Sequence, residues 1–293
     1  MRPPRRPALA RERWDTPDGD FIDVDFGGRE GAPLVVLFHG LEGGSDSHYA
    51  RAFAAQAAAS GWRVAIPHWR GCSGEPNRLP RAYHSGDTQE VQWLLERFSA
   101  YQRPLCALGV SLGGNALLKW LGEQGDAAAA LVRRAAAVSA PLDIAAAGDA
   151  LDRGLNRLLY TRMFLSTLKP KSLAKLEVFP GLYDAARVRA ARTFREFDHL
   201  VTAPLHGFRS VEDYWARASS APFLEHIRVP TLLLNARNDP FLPEHALLAA
   251  TRKAAPSVML EFPRTGGHAG FLGGPFPGRH GWLPRRLLQF FQT

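Results

Sequence analysis

Apolar residues recur along the chain with two periods, and the way the periods alternate outlines a fold. Ile22, Val24 and Phe26 alternate with Asp23 and Asp25, and Gly27-Gly28 follows. That period of two predicts an edge hairpin strand with one wet face. Residues 33–38 are instead apolar throughout and stop at His39-Gly40. Runs apolar on both faces mark parallel strands covered by helices on each side. Helical and strand patterns then take turns: helix 49–60, strand 63–67, helix 87–98, strand 105–110, helix 112–121, strand 135–138. Parallel neighbours need crossover helices, so this alternation predicts an α/β fold with a mostly parallel, twisted sheet. From about 141 to 225 the alternation gives way to helical spacing, as in Leu151, Leu155, Leu158 and Leu159. The sheet pattern resumes at 231–235, followed by a helix at 243–254, a strand at 257–262 and a last helix ending at Phe291. The expected organisation is a core of 20–140 and 226–293, a helical cap inserted at 141–225, and a basic flexible arm at 1–19.

Composition adds limits rather than detail. In 293 residues, 46% hydrophobic and 22% charged is an ordinary globular balance, enough for a sizeable core. A net charge of +8 suits polyanions in principle. The basic residues are scattered, however, apart from Arg2, Arg5, Arg6, Arg11 and Arg13 in the arm. Nucleic acid is therefore not expected as a partner, and peripheral membrane contact stays open. Cys72 and Cys106 form neither a disulfide framework nor a C-x-x-C pair. With no apolar leader and no run of roughly 18 apolar residues, the expectation is a soluble, cytoplasmic protein with no transmembrane segment.

The chemistry concentrates at Gly109-Val110-Ser111-Leu112-Gly113, between a buried strand and a helix. A serine on so tight a strand-to-helix turn is lifted above the sheet edge as a nucleophile, and small flanking residues let strand and helix approach. A serine hydroxyl needs a histidine base and a carboxylate to orient it, in the chain order Ser, acid, His. Asp239 lies just beyond the strand at 231–235, at the sheet edge where open α/β sheets carry their sites. Three histidines follow it. His245 falls in a helix and His280 in a loop before the last helix, whereas His268 sits in the flexible Thr265-Gly-Gly-His-Ala-Gly270 loop directly after a strand. The expected triad is Ser111, Asp239 and His268. Backbone amides of Leu41, in the glycine-rich loop after strand 34–38, and of Leu112 are the expected oxyanion donors. No phosphate loop, H-E-x-x-H or C-x-x-C is present, so no metal or cofactor is implied.

Several stretches together resemble the YheT-like esterases of the α/β-hydrolase superfamily: His39-Gly-Leu-Glu-Gly43, Arg70-Gly-Cys-Ser-Gly-Glu-Pro-Asn77, Tyr83-His-Ser-Gly86, Gly109-Val-Ser-Leu-Gly-Gly-Asn115, Asp239-Pro-Phe241 and Gly266-Gly-His-Ala-Gly-Phe271. Arg195-Glu-Phe-Asp198 and Asp213-Tyr214 extend the likeness through the middle of the chain, which the resemblance covers from about residue 20 onward. It implies an α/β-hydrolase fold, the same three triad positions, and small-molecule esters of short or medium acyl chains as substrates. On that reading the apolar stripe Leu155, Leu158, Leu159, Phe164 and Leu165 would cover the acyl chain. Thioester hydrolysis or acyl transfer would use the same triad with a different pocket, and a non-catalytic binding module would lack a triad member.

Overall fold

The computed structural model describes residues 8–101, 105–274 and 278–293. One eight-stranded sheet runs through it: β1 (Ala10–Asp15), β2 (Phe21–Gly27), β3 (Leu34–Phe38), β4 (Arg63–Pro67), β5 (Leu105–Val110), β6 (Val132–Val138), β7 (Thr231–Leu234) and β8 (Val258–Glu261). Their spatial order is β1-β2-β4-β3-β5-β6-β7-β8. Strands β3 to β8 pair in parallel, while β2 pairs antiparallel with both β1 and β4.

Because successive side chains of a strand point to opposite faces, β3 feeds two cores at once. Leu34, Val36 and Phe38 pack on one side with residues of α2 (Thr88–Ser99) and α3 (Leu112–Gln124). Val35 and Leu37 pack on the other with α1 (His48–Ala59) and α12 (Trp282–Gln292). Every residue of β3 and β5 is buried, as their unbroken apolar runs require.

Between β6 and β7 the described residues form α4 (Ile144–Leu151), α5 (Gly154–Asn156), α6 (Arg162–Val178), α7 (Ala185–Ala190), α8 (Phe194–Phe197), α9 (Ala203–Leu205) and α10 (Val211–Ala218). A wide π-type turn, Arg157–Thr161, runs α5 into α6. Cores of their own hold these helices, one built on Ile144, Phe194, Val211 and Trp215, another on Leu165, Val188, Phe197 and Val201. The helix α11 (Glu244–Ala250) follows β7.

The N-terminal end corrects two expectations. Residues 1–7 of the arm lie outside the described residues, but 10–15 are no loose arm: they form β1, the true edge strand. Consequently β2 is not an edge strand with a wet face, and all seven of its residues are buried. Its aspartates leave water because β1 brings them partners. Arg11 Nε stands 2.7 Å from Asp25, and Arg13 Nε 2.8 Å from Asp23. A buried carboxylate is tolerated when paired and hydrogen-bonded, and period-two polarity then reads as a salt-bridged face instead of a solvated one.

Candidate active site

Ser111 sits between β5 and α3 with φ +54° and ψ −121°, a strained conformation for a side chain with a Cβ. The glycines explain how the chain tolerates it. A Cβ on Gly113 would run into the carbonyl of Phe38 at the end of β3, and one on Gly109 into the backbone of Gly113 and Gly114. Strand, turn and helix therefore touch backbone to backbone. The start of α3 points its first N–H groups, with no intrahelical acceptor, toward the serine.

Around this turn the ends of β7 and β8 deliver two further groups. His268 Nε2 is 2.9 Å from Ser111 Oγ, and His268 Nδ1 is 2.8 Å from Asp239 Oδ2. A carboxylate can only accept, so Nδ1 carries the hydrogen and Nε2 is the acceptor for the serine hydroxyl. The Asp239 side chain is fully buried. Its Oδ1 accepts the Phe241 N–H at 2.9 Å, and the Phe241 ring lies against the imidazole, centroids 4.2 Å apart.

Residues that the sequence reading did not single out hold this line in place. Asn238 Oδ1 accepts the N–H groups of Gly266 and Gly267, each at 3.0 Å, and so ties the turn before His268 to the residue next to Asp239. Ser139 Oγ accepts the Ala269 N–H at 3.1 Å. Asn115 donates to the carbonyls of Ser85 and Ala218 and accepts from Ser220 N–H, fastening α3 to the helical segment. Such bonds to the backbone have no sequence periodicity that would announce them.

The loop after β3 brings Leu41 to the same place. Tyr49 Oη accepts the Gly40 N–H at 2.8 Å, and a Cβ on Gly40 would stand 3.1 Å from that of Ser111. Next to it, Glu42 takes a left-handed conformation, φ +53°. Tyr83 Oη accepts the Glu42 N–H and donates to its carboxylate, at 2.9 and 2.8 Å, and Lys171 from α6 adds an ion pair at 2.8 Å.

Above Ser111 opens a cavity of about 850 Å³, lined by Leu41, Leu112 and His268 below and by Ile144, Phe164 and Trp215 from the helical segment. Burial pushes the Cys72 thiol in its wall up to about 12, so it stays protonated at neutral pH. Burial likewise raises Asp198, which accepts from Trp215 Nε1 and Thr202 Oγ1, to about 6. Among the described residues no group of three or more His, Cys, Asp or Glu could hold a metal ion.

The expected acyl-covering stripe is corrected in four of its five members. Phe164 lines the cavity, but Leu155, Leu158 and Leu159 face solvent, and Leu165 is buried in the helical segment's own core. Helical spacing identifies a stripe without saying which side of the helix meets the pocket, and here α5 and α6 carry apolar residues on both.

The chain belongs to the α/β-hydrolase family: the model for the alpha/beta hydrolase fold matches residues 33–275. Its esterase/lipase-type character comes from relatives along nearly its whole length. It is 37% identical over 290 residues to the Escherichia coli (strain K12) protein named "Putative esterase YheT", covering 96% of this chain and 84% of that one. It is 31% identical over 289 residues to the Homo sapiens protein named Phospholipase ABHD3, covering 95% of this chain and 70% of that one. Among solved structures, a membrane phospholipase A described as a bacterial virulence factor shares the fold with a TM-score of 0.62 at 20% identity, over 97% of this chain and 86% of that chain. No helix among the described residues is long and apolar enough to cross a membrane.

Proposed function

We propose that the chain hydrolyses carboxylic esters through an acyl-enzyme on Ser111. The observation that carries this reading is the unbroken line from buried Asp239 through His268 to a strained Ser111 at the floor of a largely apolar cavity. Ser111 Oγ attacks the ester carbonyl carbon while His268 Nε2 takes the hydroxyl proton, and Asp239 steadies the imidazolium through Nδ1–H. The N–H groups of Leu41 and Leu112 receive the developing oxyanion. Collapse of the tetrahedral intermediate breaks the bond to the alcohol, which leaves with the proton from His268. Water, deprotonated by the same nitrogen, then releases the carboxylic acid and restores Ser111.

The helical segment 141–225 acts as a cap over the acyl chain, through Phe164, Ile144 and Trp215 rather than the outward leucines. An apolar cavity of this size falls within the range for small-molecule sites and suits short- to medium-chain acyl groups. Lipid esters lie within reach of that chemistry, in keeping with the phospholipase name of one relative.

A fluorophosphonate probe should label Ser111, and Ser111→Ala should lower turnover of p-nitrophenyl butyrate by at least about 10,000-fold. Near-normal turnover in that variant would reject the assignment. A panel of ester chain lengths, run beside matched thioesters, locates the preferred acyl group and bond.

A further inference from the structure

The helix that enters the cavity with one face leaves its other face without a partner. Leu155, Leu158, Leu159 and Met163 are 74, 59, 61 and 53% exposed, and they fall at i, i+3, i+4 and i+8 along α5, the π-type turn and the start of α6. On the inward side Tyr160 packs edge-on to Phe241 at 4.6 Å, while Phe164 and Leu168 line the cavity. A helix apolar on both sides is ordinarily buried on both. This one is buried on one only, and contiguous exposed apolar side chains rimmed by polar ones mark an interaction surface.

The charges beside the patch identify its occupant. Arg162 falls on this same face and Arg153 and Arg157 neighbour it in sequence; all three are exposed, and Arg157 and Arg162 form no ion pair among the described residues. The acids nearby are engaged elsewhere. Asp149 pairs with Arg153 and Arg195, and Asp152 accepts the N–H groups of Phe194 and Arg195. The patch is thus leucine and methionine with uncompensated arginine, in a chain of net charge +8. Apolar side chains that insert at the acyl boundary, beside arginines that meet headgroup phosphates, are the makeup of a helix lying in a lipid interface. Four side chains on one helix fall well short of the roughly 20–30 residues per side in a stable protein interface.

We infer that this face of α5 and α6 docks the protein on an anionic lipid surface. Docked so, the cavity wall formed by Phe164 and Leu168 lies about one helix diameter, ~10 Å, from the headgroups. The inference stands apart from the ester chemistry, because its test measures binding alone.

The purified full chain is sedimented with vesicles of phosphatidylglycerol and phosphatidylcholine, and with vesicles of phosphatidylcholine only. Wild type should pellet with the first and lose that association as salt rises. Met163→Asp should weaken it at least roughly tenfold and Arg162→Glu severalfold. As solvent-facing changes, both should keep the thermal midpoint within about 3 °C of wild type. Wild type that stays in the supernatant, or that binds both vesicles equally, overturns the proposal. So does a concentration-dependent dimer in sedimentation velocity that Met163→Asp abolishes, since a second copy would then cover the face.

Discussion

The molecule holds two clusters of aspartate, histidine and serine, and they are wired differently. In one, His268 stands between Asp239 and Ser111, one ring nitrogen on each. In the other, Asp25 stands between the remaining two: Oδ2 accepts from Ser45 Oγ at 2.5 Å and contacts His68 Nε2 at 2.8 Å, while Arg11 takes both carboxylate oxygens. The second serine gives its hydrogen to a carboxylate that is already ion-paired, and among the described residues no histidine nitrogen bonds to it. All three of those residues are buried, whereas Ser111 opens into the cavity and carries a left-handed backbone. Residue types are shared; reactivity follows from which group sits in the middle and whether a substrate can arrive.

The largest expected effect separates the clusters by chemistry. Asp239→Asn keeps the shape but replaces an acceptor with an amide, which favours the wrong tautomer of His268. Turnover should fall by about 10,000-fold, equivalent to roughly 5.5 kcal/mol of barrier, with a much smaller change in thermal midpoint. Ester kinetics and a melting curve on one preparation check both halves. Loss of activity through unfolding would instead place Asp239 with Asp25 as a structural acid.

Asp25→Asn should do the reverse. Burial works to raise the Asp25 carboxyl, but hydrogen bonds from Arg11, His68 and Ser45 outweigh it and hold the group far below the usual carboxylate range. A depressed carboxylate contributes stability above its unfolded pKa, near 3.9, and loses it as pH falls through the folded value. At pH 7 the substitution therefore leaves the Arg11 guanidinium without its counter-charge and should cost about 2–4 kcal/mol in urea unfolding. Turnover of the variant that remains folded should stay within a few-fold of wild type. A 100-fold or greater loss would make this second cluster part of the reaction.

How much of each cluster can be read from sequence follows from the same wiring. Ser111 and Asp239 each follow a buried strand and His268 follows the strand at the sheet's far edge, so strand patterns locate them and the fixed chain order sorts the histidines. Gly109 and Gly113 are legible too, because backbone contact permits nothing larger there. Asp25 and His68 meet through the antiparallel pairing of β2 with β4, and Arg11 reaches Asp25 through that of β1 with β2; nothing in the local pattern announces either. Arg11 looks like part of a loose basic arm, and Asp23 and Asp25 look like a wet strand face, until each charge is seen to cancel another. The outward leucines fail for a different reason. Leu155, Leu158 and Leu159 do share one outward face, but Leu151, in step with them by spacing, ends α4 and lines the cavity, and which face meets the cavity is decided by Tyr160, Phe164 and Leu168 packing inward.

A third histidine, His39, sharpens the comparison by titration. Its ring lies 5.8 Å from that of His68, at the end of the strand leading to Leu41. Nε2 accepts the Trp69 N–H at 3.1 Å, and Nδ1 donates to the Gly40 carbonyl at 2.8 Å, which only the neutral ring can do together. Burial pushes this imidazole down to about 3. The unfolded chain takes up its proton near pH 6.5 and the native one does not, so the contribution is complete above 6.5 and drains away as pH falls toward 3. At 1.36 kcal/mol per pH unit, that is a loss of about 2 kcal/mol between pH 7 and pH 5. Gln in place of His39 can offer a similar donor and acceptor but does not titrate. All other groups are common to both proteins, so their stability difference in urea should shift by about 2 kcal/mol toward the His39→Gln variant at pH 5. A difference that stays constant across the two pH values would mean that His39 is not held neutral, and that the loop bearing Leu41 rests on a charged ring.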